Sequence, residues 1–320
     1  MREYILRRLV LFIPTAFGVS VLIFLMLRVI PGDYAATLVL GGRTGGVFDR
    51  GKIEEVRHKL GLDRPLYVQY GTWIKDLFGP SLGGKSLVTS RPVSRDFLPA
   101  IQVSAEVALL AIILAMVIAV PGGIIAAVAQ DKVPDYILRS LSMAFQAMPS
   151  FWLGMIIILI LVRSFDWIPP LGFTGFFENP WKNIQQVFFP ALAVGARGSA
   201  DMLRMTRSAV LEVVREDYIR TAWAKGLAAR TVLYIHVLRN ALLPVVTLAG
   251  FEIVFLLGGE VIIEQVFNLP GVGKMFVRAA TLRDYPTIQA IIMFVAVVVL
   301  VANLTVDLLY AWLDPRIRYT

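Results

Sequence analysis

The sequence predicts an all-α polytopic membrane protein with six transmembrane helices and a small extracytoplasmic cap. Hydrophobic residues make up 57% of its 320 residues, well above the roughly 45–50% of soluble domains. They are concentrated in runs that approach the about 20 residues a helix needs to cross a bilayer. The chain has no cysteine, which excludes disulfides and thiolate metal sites. Its two histidines do not favour a metal site either.

Six apolar segments predict the spans, near residues 9–29, 102–129, 140–162, 187–203, 241–263 and 287–311. The first is expected to be an uncleaved span. No charged residue occurs between Leu9 and Leu27, a run longer than the apolar region of a signal peptide. Arg197 and Asp201 interrupt the fourth, and because they are four residues apart we expect them to neutralise each other.

The distribution of lysine and arginine predicts the orientation. Basic residues occur at the N-terminus, in 130–139, in 204–240 and at the C-terminus, whereas the loops 164–186 and 264–286 hold few. Short cytoplasmic loops are enriched in these residues, so we expect both termini in the cytoplasm. The net charge of +8 follows from this topology, and nucleic-acid binding is not expected.

The predicted domain order begins with an N-terminal segment and first span over 1–30. An extracytoplasmic cap over 31–100 follows, because Ile53, Val56 and their neighbours have helical spacing and a second amphipathic run extends from Tyr67 to Phe78. Residues 101–320 form a five-helix core that contains the polar loop 204–240.

Several spans contain proline or glycine, which bend membrane helices where protein or water satisfies the freed backbone groups. Such bends leave room for a substrate path between helices, although proline and glycine are also generally common in membrane helices. The candidate positions are Pro14, Gly18, Pro121-Gly122-Gly123, Pro149, Pro244 and Gly258-Gly259.

Residues 79–86, Gly-Pro-Ser-Leu-Gly-Gly-Lys-Ser, match the phosphate-loop pattern by letter. A functional phosphate loop joins a strand to a helix N-terminus. Here the preceding segment has a helical pattern and Arg91-Pro92 follows. We therefore predict an ordinary glycine-rich turn.

The polar loop 204–240 narrows the function further. Its sequence Tyr218-Ile-Arg-Thr-Ala-Trp-Ala-Lys-Gly-Leu227, followed by His236-Val-Leu-Arg-Asn-Ala-Leu-Leu-Pro244, resembles the cytoplasmic loop of ATP-binding-cassette importer permeases of the dipeptide, oligopeptide and nickel branch. Agreeing segments occur along nearly the whole chain, at 28–33, 60–65, 91–93, 149–152, 204–208, 264–273 and 314–318. Two features depart from the wider family: Arg220-Thr-Ala222 replaces Glu-Ala-Ala, and Glu260 stands where a small residue is expected.

This resemblance implies a first-type permease subunit with type I ABC importer architecture, in a bacterial or archaeal plasma (inner) membrane. It implies a non-catalytic chain without a cofactor of its own. It further implies a second homologous permease subunit, two ATPase subunits that bind ATP and magnesium, and an extracytoplasmic substrate-binding protein, all in membrane lipid. The cargo implied is a di- or oligopeptide, with nickel chelates or oligosaccharides as alternatives.

The loop is expected to couple the chain to the ATPases. The sequence predicts a helix from Glu212 to Lys225, ended by Gly226, and a second helix from Ala229 to Asn240. The residues assigned to coupling are Glu212, Tyr218, Arg220, Thr221, Ala222, Lys225, Gly226, Leu227, His236, Arg239 and Asn240.

Ionisable groups inside spans are functional candidates because they are costly there. Glu252 and Glu260 are eight residues apart, which places them about 80° and about 12 Å apart on one helix. They are expected either to line the path and favour cationic substrates, or to pair with neighbouring helices. The path residues assigned are Pro149, Glu252, Gly258, Gly259 and Glu260. Glu106, Asn303 and Asp307 are interpreted as helix-packing groups.

The sequence disfavours two other functions. A membrane-embedded enzyme would need a His-Glu-x-x-His helix, a Gly-x-Ser-x-Gly span or paired intramembrane aspartates, and the sequence shows none. An ion-driven transporter is disfavoured because no inverted repeat with paired broken helices is evident.

Overall fold

The computed structural model describes residues 2–29, 50–59, 61–257 and 261–313. These ranges contain no β-strand, and the predicted all-α class is confirmed. The helices are α1 Arg2–Val29, α2 Arg50–Lys59, α3 Leu66–Leu77, α4 Val93–Val128, α5 Val133–Ala147, α6 Ser150–Phe165, α7 Pro180–Val214, α8 Asp217–Ala224, α9 Ala229–Thr231, a π-helix Val232–Val237, α10 Leu238–Leu257, α11 Val261–Val266, α12 Val272–Thr281 and α13 Tyr285–Leu313.

Three helical stretches of the described ranges are long and apolar enough to cross a bilayer. They are Val93–Val128, Ala229–Glu252 and Tyr285–Thr305, and the bent pair α5 and α6 provides a fourth if its arms are counted together. The apolar part of α1, Val10–Met26, is shorter. The predicted fourth span lies inside α7, where charged residues interrupt the apolar run. The number six therefore stays a prediction.

The predicted break at Pro149 is confirmed, because α5 and α6 meet there at 103°. Met148 precedes the proline in an extended conformation, with φ −90° and ψ 128°. Proline disfavours helical backbone at the residue before it, so α5 ends there. The other candidate prolines behave differently: Pro14, Pro121 and Pro244 lie inside the continuous helices α1, α4 and α10. Gly258 and Gly259 lie outside the described residues.

The chain divides into two compact units, one formed by 1–102 with 271–320 and the other by 103–270. In the first unit, α1, α3 and α13 share an apolar cluster of Ile23, Phe24, Trp73, Leu77 and Met293. The start of α4 packs against α12 and α13 in a second cluster.

The phosphate-loop look-alike lies in this first unit and is a turn between helices, as predicted. Ser86 is buried, and its hydroxyl donates to Asp284 Oδ2 at 2.6 Å. The backbone N–H of Leu87 and the hydroxyl of Thr287 donate to the same carboxylate. Ser86 occupies the position whose hydroxyl binds magnesium in a phosphate loop, but here that hydroxyl is hydrogen-bonded to the buried carboxylate of Asp284.

The second unit is built on close packing of α4 against α7. Small residues form the contact: Ala111, Ala115 and Ala191 are almost fully buried, and Gly195 leaves no room for a side chain. A Cβ at Gly195 would lie 2.6 Å from the carbonyl oxygen of Ala111. Small residues at such positions let membrane helices approach closely.

Gly195→Ala is therefore expected to lower the thermal stability of the purified protein. The added methyl would meet backbone that cannot move without separating the helices, and overpacking of this kind typically costs about 1–3 kcal/mol. Gly198→Ala is the matched control on the same helix, because its Cβ would lie 3.9 Å from the Cβ of Ala115, an ordinary contact. Equal melting temperatures for the two variants would contradict the prediction.

Candidate coupling surface and path cavity

The polar loop 204–240 begins within α7, and this helix ends at Val214. The predicted single helix from Glu212 to Lys225 is wrong. Glu216 adopts an extended conformation, with φ −66° and ψ 147°, and α8 starts at Asp217. An acidic residue in a first helical turn is favoured by the helix dipole, which suits Asp217 to this new start.

Helix α8 is amphipathic and presents one face to the protein interior. Ile219 and Ala222, three residues apart, are 0% and 7% exposed. They join an apolar cluster with residues at the ends of α4, α7 and α10. Trp223 and Tyr218 flank this buried face and are 48% and 43% exposed. Arg220 and Thr221, on the opposite side of the helix, are exposed as well.

Gly226 ends α8 in the left-handed conformation that the sequence predicts, with φ +76°. The N–H of Leu227 donates to the carbonyl of Ala222 at 3.4 Å, and the N–H of Gly226 donates to the carbonyl of Trp223 at 2.9 Å. This pair of bonds is the Schellman pattern of a helix C-terminus. No heavy atom lies within 4 Å of a Cβ built at Gly226, so backbone conformation, not space, favours glycine.

The second predicted helix, 229–240, is present but not uniform. It starts as α9, continues as a π-helix over Val232–Val237 and passes without a break into α10. Val232 and Val237 are each 1% exposed. The amide of Asn240 donates to the Tyr218 hydroxyl at 2.7 Å, so α8 and the start of α10 are tied directly.

Most of the predicted coupling candidates are exposed, and we call these exposed residues the coupling surface. It is formed by the exposed residues of the set, Glu212, Tyr218, Arg220, Thr221, Lys225, Gly226, Leu227, Arg239 and Asn240. Ala222 is buried beneath it and His236 is half-buried. Sequence reasoning omitted Trp223, although an indole among charged residues was a usable signal. A cleft of about 520 Å³ adjoins this surface where α7 gives way to α8.

A buried ion pair that the sequence did not reveal joins α5 to α7 near this cleft. Arg207 donates from Nε to Asp135 Oδ1 at 2.7 Å and from its terminal nitrogen to Oδ2 at 2.6 Å. The Asp135 side chain is fully buried and that of Arg207 is 18% exposed. The backbone N–H of Asp131 also donates to this carboxylate.

The path candidates are placed less completely. Pro149 is exposed at the bend between α5 and α6. Glu252 is half-buried on α10 and lines a cavity of about 210 Å³ together with Arg197 and Asp201. Gly258, Gly259 and Glu260 lie outside the described residues.

The expected pairing of Arg197 with Asp201 is wrong. Asp201 instead accepts from the side-chain amide of Gln146 at 2.9 Å and from Arg204. Arg204 is only three residues away on the same helix, which puts it within reach of the carboxylate.

The packing candidates also differ in placement. Glu106 accepts from the side-chain amide of Asn183 at 2.6 Å, which joins α4 to α7 as expected of a packing group. Asn303 is exposed, and the side chain of Asp307 lies outside the described part of the chain.

Comparison with known proteins decides the family. Residues 119–319 match the family described as "Binding-protein-dependent transport system inner membrane component", and residues 1–91 match its N-terminal counterpart. The chain belongs to this family. The resemblance found in the polar loop is thereby confirmed, and the chain is a multi-pass permease, a transport subunit. Membership implies ATPase and substrate-binding-protein partners.

Curated relatives of this permease match along its whole length. It is 36% identical to "Dipeptide transport system permease protein DppB" of Alkalihalophilus pseudofirmus, with all of both chains covered. It is 39% identical to "Di/tripeptide transport system permease protein DppB" of Pseudomonas aeruginosa, covering all of this chain and 99% of the relative. It is also 39% identical to "Glutathione transport system permease protein GsiC" of Escherichia coli, with both chains fully covered.

Proposed function

We propose that this permease forms half of the translocation path of an ATP-driven importer of di- and oligopeptides. The observation that carries the proposal is the whole-length similarity to three relatives, which are named as permeases of dipeptide, di/tripeptide and glutathione transport systems. A second, homologous permease supplies the other half of the path. Two ATPase subunits and an extracytoplasmic binding protein complete a complex in the bacterial or archaeal plasma membrane. Both termini of the permease are cytoplasmic in this complex.

In this proposal the coupling surface receives the ATPase. Three features support it: the exposed Trp223 and Tyr218 offer a large contact, the buried Ile219 anchors α8 to the core, and the Tyr218–Asn240 hydrogen bond reaches the start of α10. Aromatic side chains are enriched where protein contacts are strongest. Movement of α8 by the ATPase is then transmitted to α7 and α10. Coupling of this kind requires an element that can occupy two positions, and in this proposal α8 is that element.

The proposal is tested by reconstituting the permease with its partner permease, ATPases and binding protein in lipid vesicles. Uptake of radiolabelled dialanine is expected to require ATP on the ATPase side and the binding protein on the other, and the permease alone should give none. Uptake by the permease alone under an ion gradient would support an ion-driven transporter instead. Import of a nickel chelate or an oligosaccharide in place of dialanine would refute the peptide assignment.

The role of Glu252 in the path gives a further expected result. Glu252→Gln should reduce uptake of a lysine-containing dipeptide more than that of dialanine, because it removes a negative charge that attracts the cationic side chain. The measurement is competitive uptake of the two peptides by the reconstituted complex. An equal reduction for both would assign Glu252 to helix pairing.

A further inference from the structure

The cavity of about 210 Å³ between α4, α7 and α10 combines opposite charges with small apolar residues. We propose that it binds the free carboxylate of the transported peptide, with Arg197 as the residue that holds it. This inference rests on the proposed function, because it names the chemical group of the cargo that the path recognises.

Arg197 is the group on which the inference depends. Its side chain lines the cavity and is exposed. Within the described ranges it makes no hydrogen bond and no ion pair. Arginine within an apolar bundle is costly unless it faces water or a partner of opposite charge. A guanidinium presents two parallel N–H donors that match a carboxylate, which makes a peptide C-terminus a fitting ligand.

The neighbouring Asp201 leaves Arg197 available. Asp201 lies one helical turn from Arg197, but the carboxylate of Asp201 accepts hydrogen bonds from Gln146 and Arg204. Glu252 faces the same cavity from α10 and supplies negative charge on another wall. A short peptide carries a free carboxylate at neutral pH, so the wall formed by Arg197 is complementary to that end of the ligand.

The shape of the cavity depends on small residues. Gly198 lies on its wall, and a Cβ there would make only an ordinary contact, 3.9 Å from the Cβ of Ala115. A larger side chain at 198 thus extends into the cavity without a clash at its base. Gly198→Leu is a variant that reduces the space while keeping every charge.

The test measures equilibrium binding of radiolabelled dialanine to the assembled transporter in lipid nanodiscs, without the binding protein. Competition by unlabelled dialanine and by dialanine amide, which lacks the carboxylate, reports recognition of that group. The wild type is expected to prefer dialanine over the amide by about tenfold, the scale of one charge-assisted pair. Arg197→Gln should weaken dialanine binding about tenfold and abolish the preference, whereas Arg197→Lys should retain part of it.

Controls separate the site from a general effect. Arg163→Gln removes an exposed arginine at the end of α6, away from the cavity, and should leave binding unchanged. Gly198→Leu should weaken the binding of dialanine and of dialanine amide equally. This variant still tests the site if the Arg197→Gln transporter fails to assemble. The inference is overturned if the wild type binds no dialanine, if Arg197→Gln keeps the preference, or if Gly198→Leu binds as the wild type does. In each of these cases, uptake of dialanine into vesicles by the wild type would still support the proposed function as a peptide importer.

Discussion

Replacing Gly226 with valine is expected to abolish peptide uptake while ATP hydrolysis by the assembled transporter continues. At φ +76° a β-branched residue is strained, and such a conformation costs of order 1–3 kcal/mol. The turn would relax and lose the two hydrogen bonds that close α8, although nothing nearby is crowded. A coupling surface released from its turn no longer transmits the movement of the ATPase. Uptake per ATP hydrolysed is the quantity to measure.

Gly226→Asn is the matched control, because asparagine enters the left-handed region more readily than other side chains. It should keep a substantial part of the uptake. The membrane content of all three proteins, measured by immunoblot, shows whether the valine variant is still inserted. Uptake by Gly226→Val equal to that of the wild type would refute the proposed role of this turn in coupling.

Asp135→Ala is expected to cause a large loss of stability. It removes the partner of Arg207 and leaves a largely buried guanidinium unpaired, and breaking a buried pair in this way costs about 3–5 kcal/mol. Thermal unfolding of the purified permease complex in detergent, followed by tryptophan fluorescence, measures the loss. We expect the contact between α5 and α7 to be lost first. Residues 130–139 should then become more susceptible to proteolysis.

Asp217→Ala provides the comparison. Asp217 pairs with Arg220 at 3.3 Å, but the two side chains are 95% and 75% exposed, and exposed pairs contribute only about 0–1 kcal/mol. The combined Asp135→Leu, Arg207→Met variant should recover much of the stability, because apolar side chains of similar size can replace a buried pair. A loss no larger for Asp135→Ala than for Asp217→Ala would refute the proposed strength of the buried pair.

The features predicted correctly from sequence were those set by local chemistry. Proline restricts the residue before it, which predicted the break at Pro149, although the helices continue through Pro14, Pro121 and Pro244. Glycine tolerates positive φ, so the end of α8 at Gly226 could be foreseen as well. Long apolar runs predicted the helical class, and the ordered motifs around the polar loop identified the family before any geometry was known.

The features that escaped prediction depend on contacts between distant residues. The sequence around Glu216 contains no proline or glycine that would mark a helix break. In the structure the helix that follows packs Ile219 into a cluster with residues distant in the chain. Asp135 and Arg207 are far apart in the chain, and Asp201 had a plausible partner at Arg197 yet bonds to Gln146 and Arg204. The assignments of coupling and path residues remain predictions that the experiments above address.

The π-helix at Val232–Val237 has a consequence for how the polar loop and the following span are aligned. In an α-helix residues five apart point about 140° away from each other, whereas the hydrogen bonds of a π-helix join residues five apart and bring them towards one side. Val232 and Val237 are five residues apart and both buried, as this wider turn allows. The angular phase of α10, and with it the direction in which Glu252 faces, is therefore set by the number of residues in this stretch as much as by their identity.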